Sequence, residues 1–358
     1  METNEIEIKE INRVPDRRNF ISINLLRGVS VILIVLYHYT SRYNQKSEII
    51  ELGVQTNWSI DVFWGCAAVV TFFMMSGFLI GGYFDKTMIN TKAYVVNRFF
   101  RLYPTFWCGV IITYIVLINF FSEAAVSLKA FIFNFTMIPY FFGELCVDGA
   151  YWTMQVEFFF SLVMGIILLF GGNKIRRYLL FLWMFLTFIF YFIPDNLFII
   201  KGIRFIISPK YSHMFIGGIA SYLIFKRKFL YYSIILLCIC SINQILYAES
   251  NMHTLFFLIS IIIFLSVDFI DKYLSNKNII IKFFSFIASI SYSWYLIHQM
   301  IGYAIIKGCV ESGITSVLVL FLTMIATAIM AYFLHVGVEK PTATIGKRIS
   351  RKLLIKGE

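Results

Sequence analysis

The chain has 358 residues, of which 59% are apolar or aromatic and only 14% are charged, and its formal net charge is +11. A soluble domain carries about a quarter charged residues, so this composition excludes a globule whose whole surface faces water. Basic loops beside anionic lipid account for the excess of Lys and Arg better than a nucleic-acid partner does, and no nucleic acid is expected to bind.

Apolar stretches long enough to cross a hydrocarbon core of roughly 30 Å recur along the chain. Helices are predicted rather than barrel strands, because lipid cannot satisfy free backbone groups and the runs are too apolar for barrel strands. The expected fold is all-α and polytopic, with about ten transmembrane helices near 21–41, 62–83, 102–122, 151–171, 178–194, 211–226, 229–247, 253–270, 283–306 and 313–336. This divides the chain into an N-terminal arm (1–20), a membrane domain (21–336) and a basic tail (337–358).

The distribution of Lys and Arg predicts the orientation. The arm, the loops after spans 2, 4, 6 and 8, and the tail hold 23 of the 31 basic residues, and the opposite loops hold seven. By the positive-inside rule both termini are predicted to be cytoplasmic. Lys201, Arg204 and Lys210 are exceptions, because they fall on the predicted outer side.

Arg27 lies inside the first span, where an arginine is costly unless it faces a partner or a watery cavity. His38 follows eleven residues later, a spacing that puts both side chains on one helix face about 16 Å apart. We expect Arg27 in the cytoplasmic half and His38 near the outer end, both facing inward. The alternative is a snorkelling arginine and a histidine at the interface.

Spans 2 and 3 add polar and small residues. Ser76 and Gly77 in span 2 suit either close helix packing, which is the favoured interpretation, or a ligand contact. Arg98 and Arg101, three residues apart at the mouth of span 3, suit a phosphate-bearing ligand that enters from the cytoplasm. They are equally consistent with a basic cytoplasmic lip.

Glu157 follows Trp152 by five residues at the predicted outer end of span 4, at the depth of His38. A carboxylate beside an imidazole can fix its tautomer and raise its basicity, as a general base requires. The alternative is that Glu157 only anchors the span at the interface.

In span 9, Ser291, Tyr295 and His298 form one polar stripe, which indicates either a functional face or hydrogen bonds to a neighbouring helix.

Neither a metal site nor a tightly bound cofactor is expected, since the six cysteines show no zinc-ligand spacing. Taken together, the polar motifs of the spans resemble the acyltransferase-3 family, bacterial membrane proteins that O-acetylate surface polysaccharides. The matching residues, in order, are Arg27 and His38; Phe72 to Phe78; Arg98, Arg101 and Pro104; Trp152 and Glu157; Ser291, Tyr292, Tyr295 and His298; Glu339 and Pro341. The chain departs at Asn97, where many members are basic, and it resembles the short members that have no extracytoplasmic esterase-like domain.

The resemblance implies an O-acetyltransferase of the bacterial plasma (inner) membrane. Its donor would be cytoplasmic acetyl-CoA or another acyl-CoA, and its acceptor a glycan, lipid-linked or free, such as O-antigen, capsule or exopolysaccharide. His38 would be the base or acyl carrier and Glu157 would orient it. Arg98, Arg101 and Arg27 would hold the CoA phosphates or polarise the thioester, which also makes Arg27 a candidate catalytic residue. Two alternatives remain open at this point, a transporter or flippase of lipid-linked glycan precursors, and a sensor or scaffold without chemistry.

Overall fold

The computed structural model describes residues 20–42, 62–84, 90–121, 126–170, 172–194, 198–274, 278–314 and 317–355. Within these ranges each predicted apolar run lies on a helix and no strand occurs. In chain order the helices are α1 Ile21–Tyr37, α2 Val62–Gly81, α3 Thr91–Phe120, α4 Leu128–Asn134, α5 Trp152–Leu169, α6 Asn173–Phe192, α7 Phe198–Ile207, α8 Pro209–Phe225, α9 Leu230–Tyr247, α10 Asn251–Leu265, α11 Val267–Tyr273, α12 Ile279–Glu311, α13 Val317–Leu334 and α14 Lys340–Ile355. The predicted all-α polytopic membrane fold is confirmed.

Seven helices among the described residues are long and apolar enough to cross a membrane, or eight if α10 and α11 form one bent span. The total of ten spans and the side on which the termini lie stay predictions. The N-terminal arm before residue 20 lies outside the described residues.

The eighth predicted span, 253–270, is not one straight helix. α10 and α11 meet at an angle of 72°. The bend places Asp271 of α11 below the first turn of α1, where its carboxylate accepts the backbone N–H groups of Ile21 and Ser22 at 3.1 and 2.8 Å. These N–H groups have no partner inside their own helix, so the bend supplies a cap that an N-terminal helix end needs.

α3 begins eleven residues before the predicted start of span 3. Asn90 caps it by accepting the N–H of Ala93 at 3.1 Å. Arg98 and Arg101 therefore lie beyond the first turn of the helix and not at its start. Pro104 lies within the helix without ending it. This early start decides the geometry of the site described below.

The predicted tail contains α14, which packs along the first part of α3. The Ser350 hydroxyl donates to the Ala93 carbonyl at 3.0 Å, and the Asn90 amide donates to the Leu353 carbonyl at 2.9 Å. Gly346 allows the contact, because a Cβ there would lie 2.6 Å from Cβ of Phe100. Lys and Arg side chains of α14 lie on its exposed side.

Close backbone packing joins α2 to α8. A Cβ added at Gly77 would lie 1.8 Å from the carbonyl oxygen of Phe215, and one added at Gly218 would lie 2.0 Å from that of Met74. Helices in lipid approach this closely only where both surfaces carry small residues. The packing interpretation of Gly77 is therefore correct.

Two of the three exceptional basic residues of the predicted outer side, Arg204 and Lys210, have local partners. The Arg204 guanidinium on α7 donates to the carbonyls of Phe190 and Ile193 at the end of α6, at 2.6 Å for Phe190. Lys210 forms an ion pair with Glu249. Local interactions explain the positions of Arg204 and Lys210, so their positive charges do not argue against the predicted orientation.

Candidate active site

Two adjacent cavities lie among α1, α2, α3, α5, α8, α10, α12 and the turn 335–339. The larger one, about 450 Å³, is here named the arginine cavity and is lined among others by Arg27, Ser76, Arg98, Arg101, Glu157, Ser291, Tyr292, Tyr295, His335 and Glu339. The smaller one, about 280 Å³, is named the histidine cavity and is lined among others by His38, Arg42, Trp152, Lys210, Tyr211, Glu249, His253, Tyr295 and Gln299. Both sizes suit small-molecule ligands or parts of them.

The two cavities share a wall. Ile34, Val69 and Tyr295 line both. The Tyr295 hydroxyl donates to the Ala150 carbonyl at 2.8 Å and lies 2.6 Å from the Thr153 hydroxyl, so its ring is held in place between the cavities. A group bound in one cavity is therefore separated from the other by side chains alone.

A buried ion pair lies in the arginine cavity. The Arg98 guanidinium donates to Glu157 Oε1 at 2.6 Å and to the Ser76 hydroxyl at 3.3 Å, and Ser76 donates to the same carboxylate oxygen at 2.8 Å. The two charged side chains are only 14% and 13% exposed. Each charge compensates the other, which makes their placement at this depth tolerable.

This network corrects the expected position of Glu157. Its hydrogen bonds go to Ser76 and Arg98, so it does not orient His38. The start of α3 at Thr91 explains the difference, because it places Arg98 on a helix facing α5. Ser76, for which a ligand contact was the less favoured interpretation, takes part in the network, whereas its neighbour Gly77 serves packing.

His38 begins a π-helical turn, His38–Arg42, that continues α1. Such turns are rare and often re-aim side chains at functional sites. The His38 ring meets the ring of His298 of α12 edge-on, with ring centroids 4.9 Å apart. The structure thus brings together two of the predicted histidines, and the imidazole of His298 takes the position beside His38 that was expected of Glu157.

His298 is fully buried. Its Nδ1 lies 2.8 Å from the Tyr295 carbonyl oxygen, which can only accept, so we assign the proton to Nδ1. Nε2 is then an acceptor, and it is buried with no hydrogen-bond partner among the described residues. An acceptor beside the His38 ring favours the functional interpretation of the span 9 stripe over simple helix bridging.

Arg27 and His38 line different cavities. The eleven-residue separation along α1 places Arg27 in the arginine cavity and His38 in the histidine cavity. Arg101 lines the arginine cavity as well, one turn beyond Arg98. The three predicted donor-binding arginines therefore line one cavity.

The remaining candidates have distinct surroundings. The Ser291 hydroxyl donates to the Ala288 carbonyl of its own helix at 2.8 Å, and in the part of the chain that the structure describes neither it nor Ser76 hydrogen-bonds to a histidine. Trp152 packs against Tyr211 in the histidine cavity, with ring centroids 5.0 Å apart. Burial raises the pKa of the Cys146 thiol in the loop before α5 to about 12, so this thiol is protonated at neutral pH and is a poor nucleophile.

Sequence reasoning named Glu339 as a match to the family but missed its pairing with His335. A π-helical turn, His335–Glu339, joins α13 to α14. His335 Nδ1 lies 2.9 Å from Glu339 Oε2, and the Ser293 hydroxyl donates to the same oxygen at 2.7 Å. Both His335 and Glu339 line the arginine cavity. Their separation by four residues, the contact spacing of a helix, is a sequence signal that could have found them.

No group of three or more His, Cys, Asp or Glu side chains that could hold a metal ion occurs among the described residues.

A family model described as an acyltransferase domain, that of the acyltransferase-3 family, matches residues 20–336. The chain belongs to this family. No match was found among curated proteins or solved structures. The protein is thus a multi-pass membrane acyltransferase, which decides against the transporter and scaffold alternatives.

Proposed function

We propose that the protein is an O-acetyltransferase that moves an acetyl group from acetyl-CoA, or an acyl group from a similar donor, to a hydroxyl of a cell-surface or exported glycan. The supporting observation is the pair of cavities with a common wall in a chain of an acyltransferase family. Two cavities of different chemistry suit two substrates that meet at the wall.

The arginine cavity is the site for the donor. CoA carries phosphates, and Arg guanidinium groups recognise phosphate by charge and by paired hydrogen bonds. Arg27 and Arg101 are the ligands we assign to the phosphates, with Arg98 supporting them from its pair with Glu157. The bias of Lys and Arg along the chain supports a cytoplasmic opening, on the side where acyl-CoA occurs, in a bacterial plasma membrane.

The histidine cavity is the site for the acceptor. The paired rings of Trp152 and Tyr211 offer an apolar face for the C–H side of a sugar, and Arg42 and Gln299 offer polar groups for its hydroxyls. No metal or other cofactor enters the proposal. The proposed acceptor is a lipid-linked or a free glycan.

Transfer follows from this arrangement. The acceptor hydroxyl gives its proton to His38 as its oxygen attacks the thioester carbonyl. The C–S bond breaks, the new ester bond remains, and the leaving CoA thiolate takes the proton from His38. His298 Nε2, an acceptor beside the His38 ring, takes a hydrogen bond from an N–H of His38 and so positions that ring. The acetyl group passes directly from the donor to the acceptor where the two cavities adjoin at Tyr295, so no acyl-enzyme forms.

The experiment uses membranes that contain wild type, His38→Ala or Arg27→Ala, labelled acetyl-CoA and cell-envelope glycan. Label in base-labile O-esters is measured, and insertion of each variant is verified. We expect wild type to label the glycan, His38→Ala to lose at least roughly a hundredfold in rate, and Arg27→Ala to require more donor.

His253→Ala is the matched control, because it removes another imidazole from the histidine cavity. The His253 ring lies 2.8 Å from the Ser250 hydroxyl, and the proposal gives it no proton to move. Labelling by inserted His38→Ala at the wild-type rate would refute the role of His38. Absence of label from inserted wild type, across glycan fractions and acyl-CoA donors, would refute the proposed reaction.

A further inference from the structure

One wall of the arginine cavity carries a carboxylate, that of Glu339. His335, Glu339 and Ser293 form one hydrogen-bonded group in which both protein donors go to Glu339 Oε2, at 2.9 and 2.7 Å. Oε1 has no hydrogen-bond partner among the described residues. An ionised carboxylate only accepts hydrogen bonds, so Oε1 suits a ligand that brings an N–H or O–H.

The backbone supports a dedicated site at this point. α13 changes from α-helix to π-helix over His335–Glu339 and then continues as α14. The extra residue in the turn rotates this segment relative to the helices on either side. The only other π-helical turn in the described ranges starts at His38 and lines the histidine cavity. Each cavity thus has one π-helical turn that begins with a histidine.

The charges define the ligand. A molecule in the arginine cavity meets the guanidinium groups of Arg27, Arg98 and Arg101 and also the carboxylate of Glu339. It must therefore combine anionic groups with hydrogen-bond donors that carry no negative charge. A simple phosphate or a fatty acid has only the first property. CoA has both, because its phosphates accompany an adenine amine and the two amide N–H groups of its pantetheine arm.

We propose that Glu339, oriented by His335 and Ser293, is a recognition residue that accepts an N–H of the CoA part of the donor. The inference rests on the proposed function in taking acyl-CoA as the donor. It assigns Glu339 to binding and gives it no part in the proton transfer at His38. A charge-assisted hydrogen bond of this kind contributes selectivity for the CoA part over other anions.

Glu339→Gln tests the proposal sharply. A glutamine whose carbonyl stays on Ser293 and His335 presents an amide N–H₂ to the ligand, which also brings an N–H. The variant therefore loses both the negative charge and the acceptor for the ligand N–H. We expect the Kd for CoA and the KM for acetyl-CoA to rise roughly tenfold to a hundredfold, with kcat within about twofold of wild type. His335→Ala should raise the same constants less, since the carboxylate remains but is no longer oriented.

Binding of labelled CoA to purified protein in lipid nanodiscs and acetyl transfer in membranes are measured separately. Glu311→Gln is the control, because Glu311 is a 65% exposed carboxylate paired with Lys307 at the end of α12. It should leave both constants unchanged. Thermal unfolding shows whether each variant is folded.

Donor analogues distinguish the two sources of the N–H. If the effect of Glu339→Gln disappears with an acetyl-CoA analogue that has hypoxanthine in place of adenine, the adenine amine is the partner. If the effect persists with that analogue and with acetyl-phosphopantetheine, an amide of the pantetheine arm is the partner of Glu339.

The possible failures can be separated. Unchanged CoA binding by folded Glu339→Gln and His335→Ala, while wild type transfers acetyl groups, would overturn the role of Glu339 and leave the proposed function intact. CoA binding that depends on Glu339 without any transfer by wild type would overturn the proposed reaction instead. Absence of CoA binding to wild type would overturn both.

Discussion

The two cavities both contain an ion pair, yet they use charge differently. In the arginine cavity, Arg98 and Glu157 are 14% and 13% exposed and form a pair that also holds Ser76. At the histidine cavity, the ion pair of Lys210 and Glu249 is 43% and 60% exposed. A buried charge needs its partner in order to be tolerated, whereas an exposed one is solvated with or without a partner. The arginine cavity is therefore a rigid charged site, and the charged rim of the histidine cavity is adaptable.

The largest expected effect tests the buried pair. Glu157→Ala leaves the Arg98 guanidinium without its counter-charge, and we expect it to lower the free energy of unfolding by about 3 kcal/mol. Unfolding of the purified protein in detergent measures this. The double variant Arg98→Met, Glu157→Ala should be more stable than Glu157→Ala alone. Strictly additive losses would show that the two side chains do not depend on each other.

The next effect tests whether both cavities depend on one scaffold. Gly77→Ala places a Cβ 1.8 Å from a carbonyl oxygen of α8, so the two backbones must separate. We expect a loss of roughly 2 kcal/mol in unfolding free energy, together with weaker binding in both cavities, because α2 lines both. Gly308→Ala, where nothing lies within 4 Å of the added Cβ, is the control and should be neutral or slightly stabilising. Equal effects of the two variants would contradict the packing argument.

A smaller effect separates the cavities by substrate. Trp152→Ala removes one of the paired rings of the histidine cavity, and we expect the KM for the glycan acceptor to rise about tenfold while the KM for the donor stays unchanged. Trp152→Phe should keep most of the acceptor affinity. The measurement is initial rate against each substrate in turn. A rise in the donor KM alone would place the two substrates in the opposite cavities.

The smallest effect completes the comparison of ion pairs. Lys210→Gln breaks the exposed pair with Glu249, and the free energy of unfolding should change by less than about 1 kcal/mol. The same unfolding assay as for Glu157→Ala provides the comparison. A loss as large as that of Glu157→Ala would show that exposure does not decide the importance of these pairs.

Much of the candidate site was predictable because a polar residue in a lipid-spanning helix requires an explanation. Arg27, Ser76, Arg98, Arg101, Glu157, Ser291 and Tyr295 all line the arginine cavity, and His38, Trp152 and Tyr295 line the histidine cavity. The predicted partner of His38 was wrong, since equal depth in the membrane does not say which helix faces which. The spacing of His335 and Glu339 indicates their pairing, but the contact of Glu339 with Ser293, 46 residues earlier and on another helix, cannot be predicted from spacing.

By itself, the sequence determined the all-α membrane fold, the approximate limits of the apolar helices and the family, because these follow from runs of apolar residues and from ordered local motifs. Tertiary structure alone decided which polar side chains meet. The pairing of Arg98 with Glu157, of His38 with His298 and of Ser293 with Glu339 depends on the rotation of each helix about its own axis. That rotation is set by long-range packing, such as the contact of α2 with α8 at Gly77 and Gly218, and by π-helical turns that no local pattern reveals.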